Sequence, residues 1–84
     1  MAHEHPFGVT GAQARAMDAV CSTGSHKAAA RALGITPKTV EVHCAAAGER
    51  MRLRGAISPE TGALGKYLAW DRHRRSTAKE TGHG

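Results

Sequence analysis

Apolar and small residues recur every three or four positions through most of the chain, a period that predicts helices and not strands. The first stripe includes Met17 and Val20. It follows Thr10 and Gln13, which have the spacing of a capping box, in which each side chain accepts a hydrogen bond from the other residue's backbone amide. This pattern predicts a first helix over residues 11–22.

A second helix is predicted between Ser25, a cap residue, and Gly34, a residue type that ends helices in the left-handed conformation. Thr36 and Pro37 then have the cap-and-proline order that starts a helix. The third helix is expected to run from Pro37 to about Arg54. The side chains predicted to face the core from these two helices are Ala29, Ala30, Leu33, Val40, Ala47 and Met51.

Ser58 and Pro59 repeat the cap-and-proline order and predict a fourth helix over residues 59–74. Two glycines, Gly62 and Gly65, weaken its first turns. The apolar side of this helix is expected to hold Ala63, Leu64, Tyr67, Leu68 and Trp70.

Together these elements predict an all-α, four-helix helix-turn-helix domain over residues 9–75, with helix 4 covering the core or dimerising. Residues 1–8 are predicted to be a flexible N-terminal arm, and residues 76–84 a disordered tail. A length of 84 residues fits one small domain. Because only 4% of the residues are aromatic, a water-excluding catalytic pocket is hard to build, and we expect no enzyme activity.

The net charge of +5 is concentrated in one segment. Residues 1–49 carry four basic and four acidic side chains, whereas residues 50–75 carry seven basic and two acidic ones. Such a segment suits a polyanion, since each neutralised phosphate releases condensed counterions. The alternative is a solvated basic surface that keeps the protein soluble.

Cysteine and histidine do not have the spacing of a reactive or metal-binding site. Cys21 and Cys44 are too few for a disulfide framework, and zinc sites need four convergent ligands. His43 and Cys44 are adjacent, so on a helix they point about 100° apart and cannot act as base and nucleophile. We therefore expect no cofactor and no metal. With no signal-like segment and no apolar run of about 20 residues, we also expect no membrane partner and a cytoplasmic, nucleoid-associated location.

The segment from helix 2 to helix 3 meets the requirements of a helix-turn-helix. Ala30 is small enough for two helices to cross closely, and Gly34 allows the turn. Ile35 and Val40 are expected to fill the corner between the helices. A helical hairpin that only packs would satisfy the same rules.

A more specific pattern lies in Lys27-x-x-Ala30-x-x-Leu33-x-Ile35-x-x-x-Thr39-Val40-x-x-His43, preceded by Thr10 and followed by Met51. This run resembles the LuxR-type helix-turn-helix signature over roughly Val9 to Met51. The chain departs from that family in having Gln13 and Arg15 after the opening threonine and the run CAAAG at residues 44–48. Short phage-encoded regulators have a similar layout.

The resemblance implies that helix 3 is the recognition helix, which enters the major groove of double-stranded DNA. Glu41 would accept from a base amino group such as cytosine N4, or pair with Lys38 on its own helix. Small apolar side chains would meet thymine methyl groups or act as spacers. The implied base-contacting residues are Lys38, Glu41, Val42 and Ala45.

The resemblance also implies a set of phosphate contacts around these bases. Thr36 has the alternative role of capping its own helix, and His43 the alternative of a hydrogen bond within the fold. Three arginines at spacing two, residues 50, 52 and 54, cannot share one helix face, and we expect at least one to reach the backbone. The predicted phosphate-contacting residues are Lys27, Thr36, Thr39, His43, Arg50 and Arg54.

An apolar stripe on the last helix of so small a domain predicts a homodimer. Its predicted contacts are Leu64, Tyr67, Leu68 and Trp70, although Trp70 has the alternatives of covering the core or stacking on a base. The sequence thus predicts a sequence-specific DNA-binding protein that acts as a transcriptional activator or repressor. The alternatives are an architectural or packaging module similar to a small terminase subunit, or a helical adaptor for an unidentified protein partner.

Overall fold

The computed structural model describes residues 5–58, 60–62 and 64–81, with side chains described to residue 76. These ranges contain four α-helices and no strand, which confirms the all-α, four-helix fold. The first three helices begin and end within one residue of their predicted bounds. The helices are α1 (Gly11–Thr23), α2 (His26–Leu33), α3 (Pro37–Leu53) and α4 (Gly65–Thr81), and one 3₁₀ turn, Pro6–Gly8, precedes them.

The capping box at the start of α1 is formed as predicted. The Thr10 amide donates to Gln13 Oε1 over 3.0 Å, and the Gln13 amide donates to Thr10 Oγ1 over 3.2 Å. Val9 and Ala14, on either side of the cap, are both buried, which fixes the direction in which the chain enters the helix.

The turn between α2 and α3 is built on Gly34, which has φ 70°. The Ile35 amide donates to the Ala30 carbonyl over 3.0 Å, and the Gly34 amide donates to the Arg31 carbonyl over 3.4 Å. These two bonds form a Schellman motif, which satisfies carbonyls at the end of α2 that would otherwise lack partners. The side chain of Ile35 is exposed, so the corner is filled by Val40 without it.

α3 begins immediately after this turn. Thr36 Oγ1 accepts from the Thr39 amide over 3.1 Å, and Pro37 occupies the first helical position, where no amide hydrogen is needed. A left-handed stop and a capped start, two residues apart, set the angle between α2 and α3.

Replacing Gly34 with alanine is expected to lower the free energy of unfolding by about 1 kcal/mol, because a Cβ disfavours the left-handed conformation. No atom lies within 4 Å of the added Cβ, so the cost is conformational. Gly62 has equally open surroundings and a φ outside the left-handed range, which makes Gly62→Ala the matched control. Urea denaturation of both variants should show a lower free energy of unfolding for Gly34→Ala only. Losses of equal size would contradict this account of the turn.

The core is made mainly of small side chains around α1, which contacts the other three helices. Alanines at most contact positions let the helices approach closely, so a few larger residues fill the remaining space. The buried apolar residues are Val9, Ala14, Ala16, Met17, Val20, Ala29, Ala30, Val40, Cys44, Ala47, Met51 and Trp70.

Trp70 belongs to this core. Only 3% of its surface is exposed, its Nε1 donates to Asp18 Oδ1 over 2.8 Å, and its ring centroid lies 6.1 Å from that of Phe7. The assignment of Trp70 to a dimer contact is therefore wrong, since its surface is used within its own chain. Its alternative role of covering the core is confirmed.

The fourth helix differs from its predicted bounds at both ends. Ser58 and Thr61 form a turn in which the Ser58 amide donates to Thr61 Oγ1 and the Thr61 amide to the Ser58 carbonyl, each over 3.0 Å. Side-chain bonds of this kind compete with helix formation, and Gly62 follows directly, so α4 begins at Gly65. Pro59 and Ala63, which the prediction included, lie outside the described residues.

The disordered tail predicted from residue 76 is wrong up to Thr81, where α4 ends. Ala78, Lys79 and Glu80 are all good helix formers, and no glycine or proline interrupts them. The remainder of the predicted tail, residues 82–84, lies outside the described residues.

The predicted flexible arm does not hold for residues 5–8. The Val9 amide donates to the Pro6 carbonyl over 3.3 Å, and the ring centroid of Phe7 lies 5.0 Å from that of His73. Phe7 has φ 61°, a strained conformation for a residue with a Cβ, which its packing against α4 maintains. Residues 1–4 lie outside the described residues.

Candidate nucleic-acid interface

The four predicted base-contacting residues lie on one exposed face of α3. At about 100° per residue, they cover roughly 100° of the helix circumference near its start. The buried row of α3, which includes Val40 and Cys44, anchors the helix against α1 and leaves this face uncovered. The exposed residues are Lys38, Glu41, Val42 and Ala45.

Two ion pairs lie along the outside of α3. Lys38 Nζ is 3.6 Å from Glu41 Oε1, and Arg52 Nη1 is 2.7 Å from Glu49 Oε1. The pairing of Glu41 with Lys38, the alternative to a base contact, is thus present. Exposed pairs of this kind contribute less than about 1 kcal/mol, so the Glu41 carboxylate can exchange its partner at little cost.

One flank of α3 holds three of the predicted phosphate-contacting residues. Thr39, His43 and Arg50 follow one another at helical spacing, so they line one side of the helix. Thr39 and His43 are half-buried and Arg50 is exposed. Among the described side chains Arg50 has no acidic partner.

The other three predicted phosphate contacts lie apart from that flank. Thr36 Oγ1 caps α3 and lies 2.9 Å from Thr39 Oγ1, so its hydroxyl is used within the fold. Capping, the alternative role given to Thr36, is the one observed. Lys27 is exposed in the first turn of α2. Arg54 lies sixteen residues beyond Lys38, about 24 Å along the axis, with its guanidinium against Gly8.

Ion pairs with acidic side chains leave fewer unpaired basic residues on the surface than the charge count predicts. Arg74 Nε lies 2.9 Å and Arg75 Nε 2.7 Å from the carboxylate of Asp71, and Arg74 also lies 3.6 Å from that of Asp18. The hydrogen bond from Arg74 lowers the pKa of Asp71, which keeps these pairs charged. Of the seven basic residues in the segment, those without an acidic partner in the described part of the chain are Arg50, Arg54, Lys66 and Arg72.

A groove of about 650 Å³ lies between the first half of α4 and the corner where the end of α1 and the start of α2 meet α3, and Glu41 and Ala45 form part of its wall. No sequence pattern predicted this groove, although one residue, Gly48, marks the contact beside it. The side chain of Lys66 crosses α3 at Gly48, with its Cδ 2.8 Å from where a Cβ would stand. A glycine inside a helix is a signal of close approach by another element, and here it marks the α3–α4 contact.

The inner end of the groove holds a small polar network around Tyr67. Its hydroxyl lies 2.7 Å from His26 Nε2, and its backbone carbonyl accepts from Cys21 Sγ over 3.6 Å. Burial raises the pKa of both the Cys21 and the Cys44 thiols, so neither is a ready thiolate. These groups hold α4 to α1 and α2.

The predicted dimer contacts therefore divide into two kinds. Tyr67 is half-buried and its hydroxyl is engaged with His26. Leu64 and Leu68 are 72% and 67% exposed, and their spacing of four residues brings them to the same side of the helix. Of the four predicted dimer contacts, these two leucines are the ones with an exposed side chain.

Neither a membrane span nor a metal site is found in residues 5–58, 60–62 and 64–81. None of the helices there is both long and apolar enough to cross a bilayer. No three histidine, cysteine or acidic side chains in the same ranges come together as metal ligands do.

Comparisons with family models, curated protein sequences and solved structures give no match to this chain. The LuxR-type resemblance stays a prediction, which depends on the residues from Lys27 to His43 and on Thr10.

Proposed function

We propose that this protein binds double-stranded DNA sequence-specifically and regulates transcription by placing α3 in the major groove. The observation that carries the proposal is the exposed face at the start of α3, which follows a tight glycine turn and stands opposite a buried row. A major groove about 12 Å wide accepts a helix presented in this way.

The side chains on that face have the chemistry that base recognition requires. The Glu41 carboxylate accepts hydrogen bonds and would take one from cytosine N4. Val42 and Ala45 present methyl groups that would contact thymine C5 methyls. Lys38, once separated from Glu41, would reach guanine or a phosphate.

Contacts with the DNA phosphate backbone would come from residues on both sides of this face. Arg50 and His43 lie on one flank of α3, and Lys27 lies in the first turn of α2. Such contacts fix the register of the protein on the duplex and supply most of the salt-dependent affinity.

A homodimer in the cytoplasm, on nucleoid DNA, completes the proposal. Leu64 and Leu68 are the exposed pair that would be covered by a second copy. Two recognition helices would then lie about 34 Å apart and contact an inverted repeat.

The exposed leucines also favour a second candidate, a helical adaptor for another protein. Leu53 is 74% exposed and adds to Leu64 and Leu68 as apolar surface. A mobility-shift competition with genomic fragments separates the candidates. One preferred short site supports the regulator, salt-sensitive binding without preference supports an architectural or packaging module, and no binding at low salt supports the adaptor.

Within the proposed docking, Glu41→Ala is expected to relax the preference at one base pair by about 1–3 kcal/mol and to leave the other positions unchanged. Lys27→Ala serves as the contrast, because the loss of a phosphate contact should weaken all sites alike and flatten the salt dependence. Titrations against a panel of single-base variants of the preferred site measure both. Unchanged binding in both variants would overturn the docking.

A further inference from the structure

The side chain of Lys66 lies across α3 at Gly48. Its Cδ is 2.8 Å and its Nζ 3.8 Å from the position that a Cβ of residue 48 would take. Gly48 is buried and lies in the middle of α3, where any other residue would occupy this path. The glycine thus lets a cation from α4 reach the surface of α3.

The two flanks of α3 differ in what they carry. Taking about 100° per residue, Gly48 lies roughly 70° to one side of the centre of the base-contacting residues. On the other side, at about 110–150°, lie Thr39, His43 and Arg50. The flank beside Gly48 has Glu41 and Ala45 before it and Arg52 one turn after it. Because Arg52 Nη1 lies 2.7 Å from Glu49 Oε1, the cation that α3 places on this flank is already paired.

A helix in the major groove has a sugar-phosphate backbone on each side, and each needs a donor or a cation. We propose that Lys66, reaching over Gly48, binds the DNA phosphate backbone on the flank of α3 whose own cation, Arg52, is paired with Glu49. The inference rests on the proposed function and adds α4 to the DNA-binding surface. Lys27, in the first turn of α2, would contact the backbone independently of it.

The surroundings of Lys66 favour this role. Its Nζ lies 5.2 Å from the centroid of the Tyr67 ring, and the Tyr67 hydroxyl is 2.7 Å from His26 Nε2. The ring therefore supports the ammonium group without neutralising it, and no carboxylate pairs with Lys66 among the side chains that the structure describes. The same groove wall holds Glu41 and Ala45, so the cation lies beside the base-contacting face.

The test is the salt dependence of binding to a duplex that contains the preferred site, measured by fluorescence anisotropy for Lys66→Met. Methionine keeps most of the stem that packs over Gly48 and removes the charge. The slope of log K against log salt is expected to fall by about 0.9, which corresponds to about eightfold weaker binding at 0.1 M salt. Lys66→Arg should keep the wild-type slope.

Arg72→Ala is the matched control, because Arg72 is an exposed cation of α4 six residues on, about 120° away from Lys66 around the helix. A wild-type salt slope in Lys66→Met overturns the inference, and so does an equal decrease of the slope in Arg72→Ala. In either case the proposed function still stands if Lys27→Ala lowers the slope. A wild-type chain that binds no duplex removes the proposed function and this role with it. Circular dichroism melting confirms that each variant is folded.

Discussion

Replacing Trp70 with alanine is expected to lower the free energy of unfolding by about 3–5 kcal/mol. The indole is almost fully buried between α1 and the N-terminal turn, and its removal leaves a cavity and takes one of two partners from Asp18, which keeps Arg74. A domain of this size has a total stability of roughly 4–13 kcal/mol, so the variant should lose between about a quarter and all of it. Urea denaturation followed by circular dichroism gives the change.

Trp70→Phe separates packing from hydrogen bonding at this site. It keeps an aromatic ring in the core and removes the bond to Asp18 together with part of the indole volume, which should cost about 1–2 kcal/mol. Sedimentation of the same variants tests the discarded assignment of Trp70 to a dimer contact. A Trp70→Ala chain that stays stable but loses a dimer would return Trp70 to the interface between copies.

The largest effect on DNA binding is expected from Val42→Asp. Val42 is 53% exposed on the face of α3 that we propose contacts the bases, so the change should leave the core intact. An added carboxylate facing a polyanion, together with a lost methyl contact, should weaken specific binding on the order of 100-fold, or about 2.8 kcal/mol. Competition titration at fixed salt measures it.

Leu53→Asp introduces the same charge on the same helix at a residue that is 74% exposed. It lies eleven residues further on, about 16 Å along the axis, which exceeds the screening length of about 8 Å at physiological salt. Binding should therefore change little. If both variants lost affinity equally, the effect would be one of net charge, and the assignment of the recognition face would fail.

The local signals in the sequence were sufficient for the first three helices. Thr10, Ser25 and Thr36 each accept a hydrogen bond from the backbone amide three residues on, and Gly34 takes the left-handed conformation expected of a stop. Each of these features depends on a few neighbouring residues. A sequence pattern can therefore predict them without knowledge of the tertiary structure.

The fourth helix and the N-terminal turn could not be predicted in the same way. Trp70 bonds to Asp18, 52 positions away, and Phe7 packs on the same indole from the other end of the chain. No local pattern identifies such partners. The cap-and-proline order at residues 58–59 gave a wrong helix start because Thr61 offered Ser58 an alternative set of hydrogen bonds.

For the candidate site, the sequence predicted which residues share the exposed face of α3, but not the contacts that other helices make beside it. The exposed face of α3 follows from helical periodicity, so Lys38, Glu41, Val42 and Ala45 could be grouped from sequence. The approach of Arg74 to Asp18, on another helix, could not be predicted from sequence. Nor could the approach of Lys66 to Gly48, since it joins two helices whose relative position no local rule sets.

The two ion pairs along α3 have a consequence for how such a protein would search DNA. Because Lys38 is paired with Glu41 and Arg52 with Glu49, the outer surface of the helix carries almost no net charge before it meets a duplex. Long-range attraction would then come from cations outside that surface, which hold the protein near any sequence. The neutral helix would pass over non-cognate base pairs without being held by them, and only a matching set of bases would replace its internal pairs.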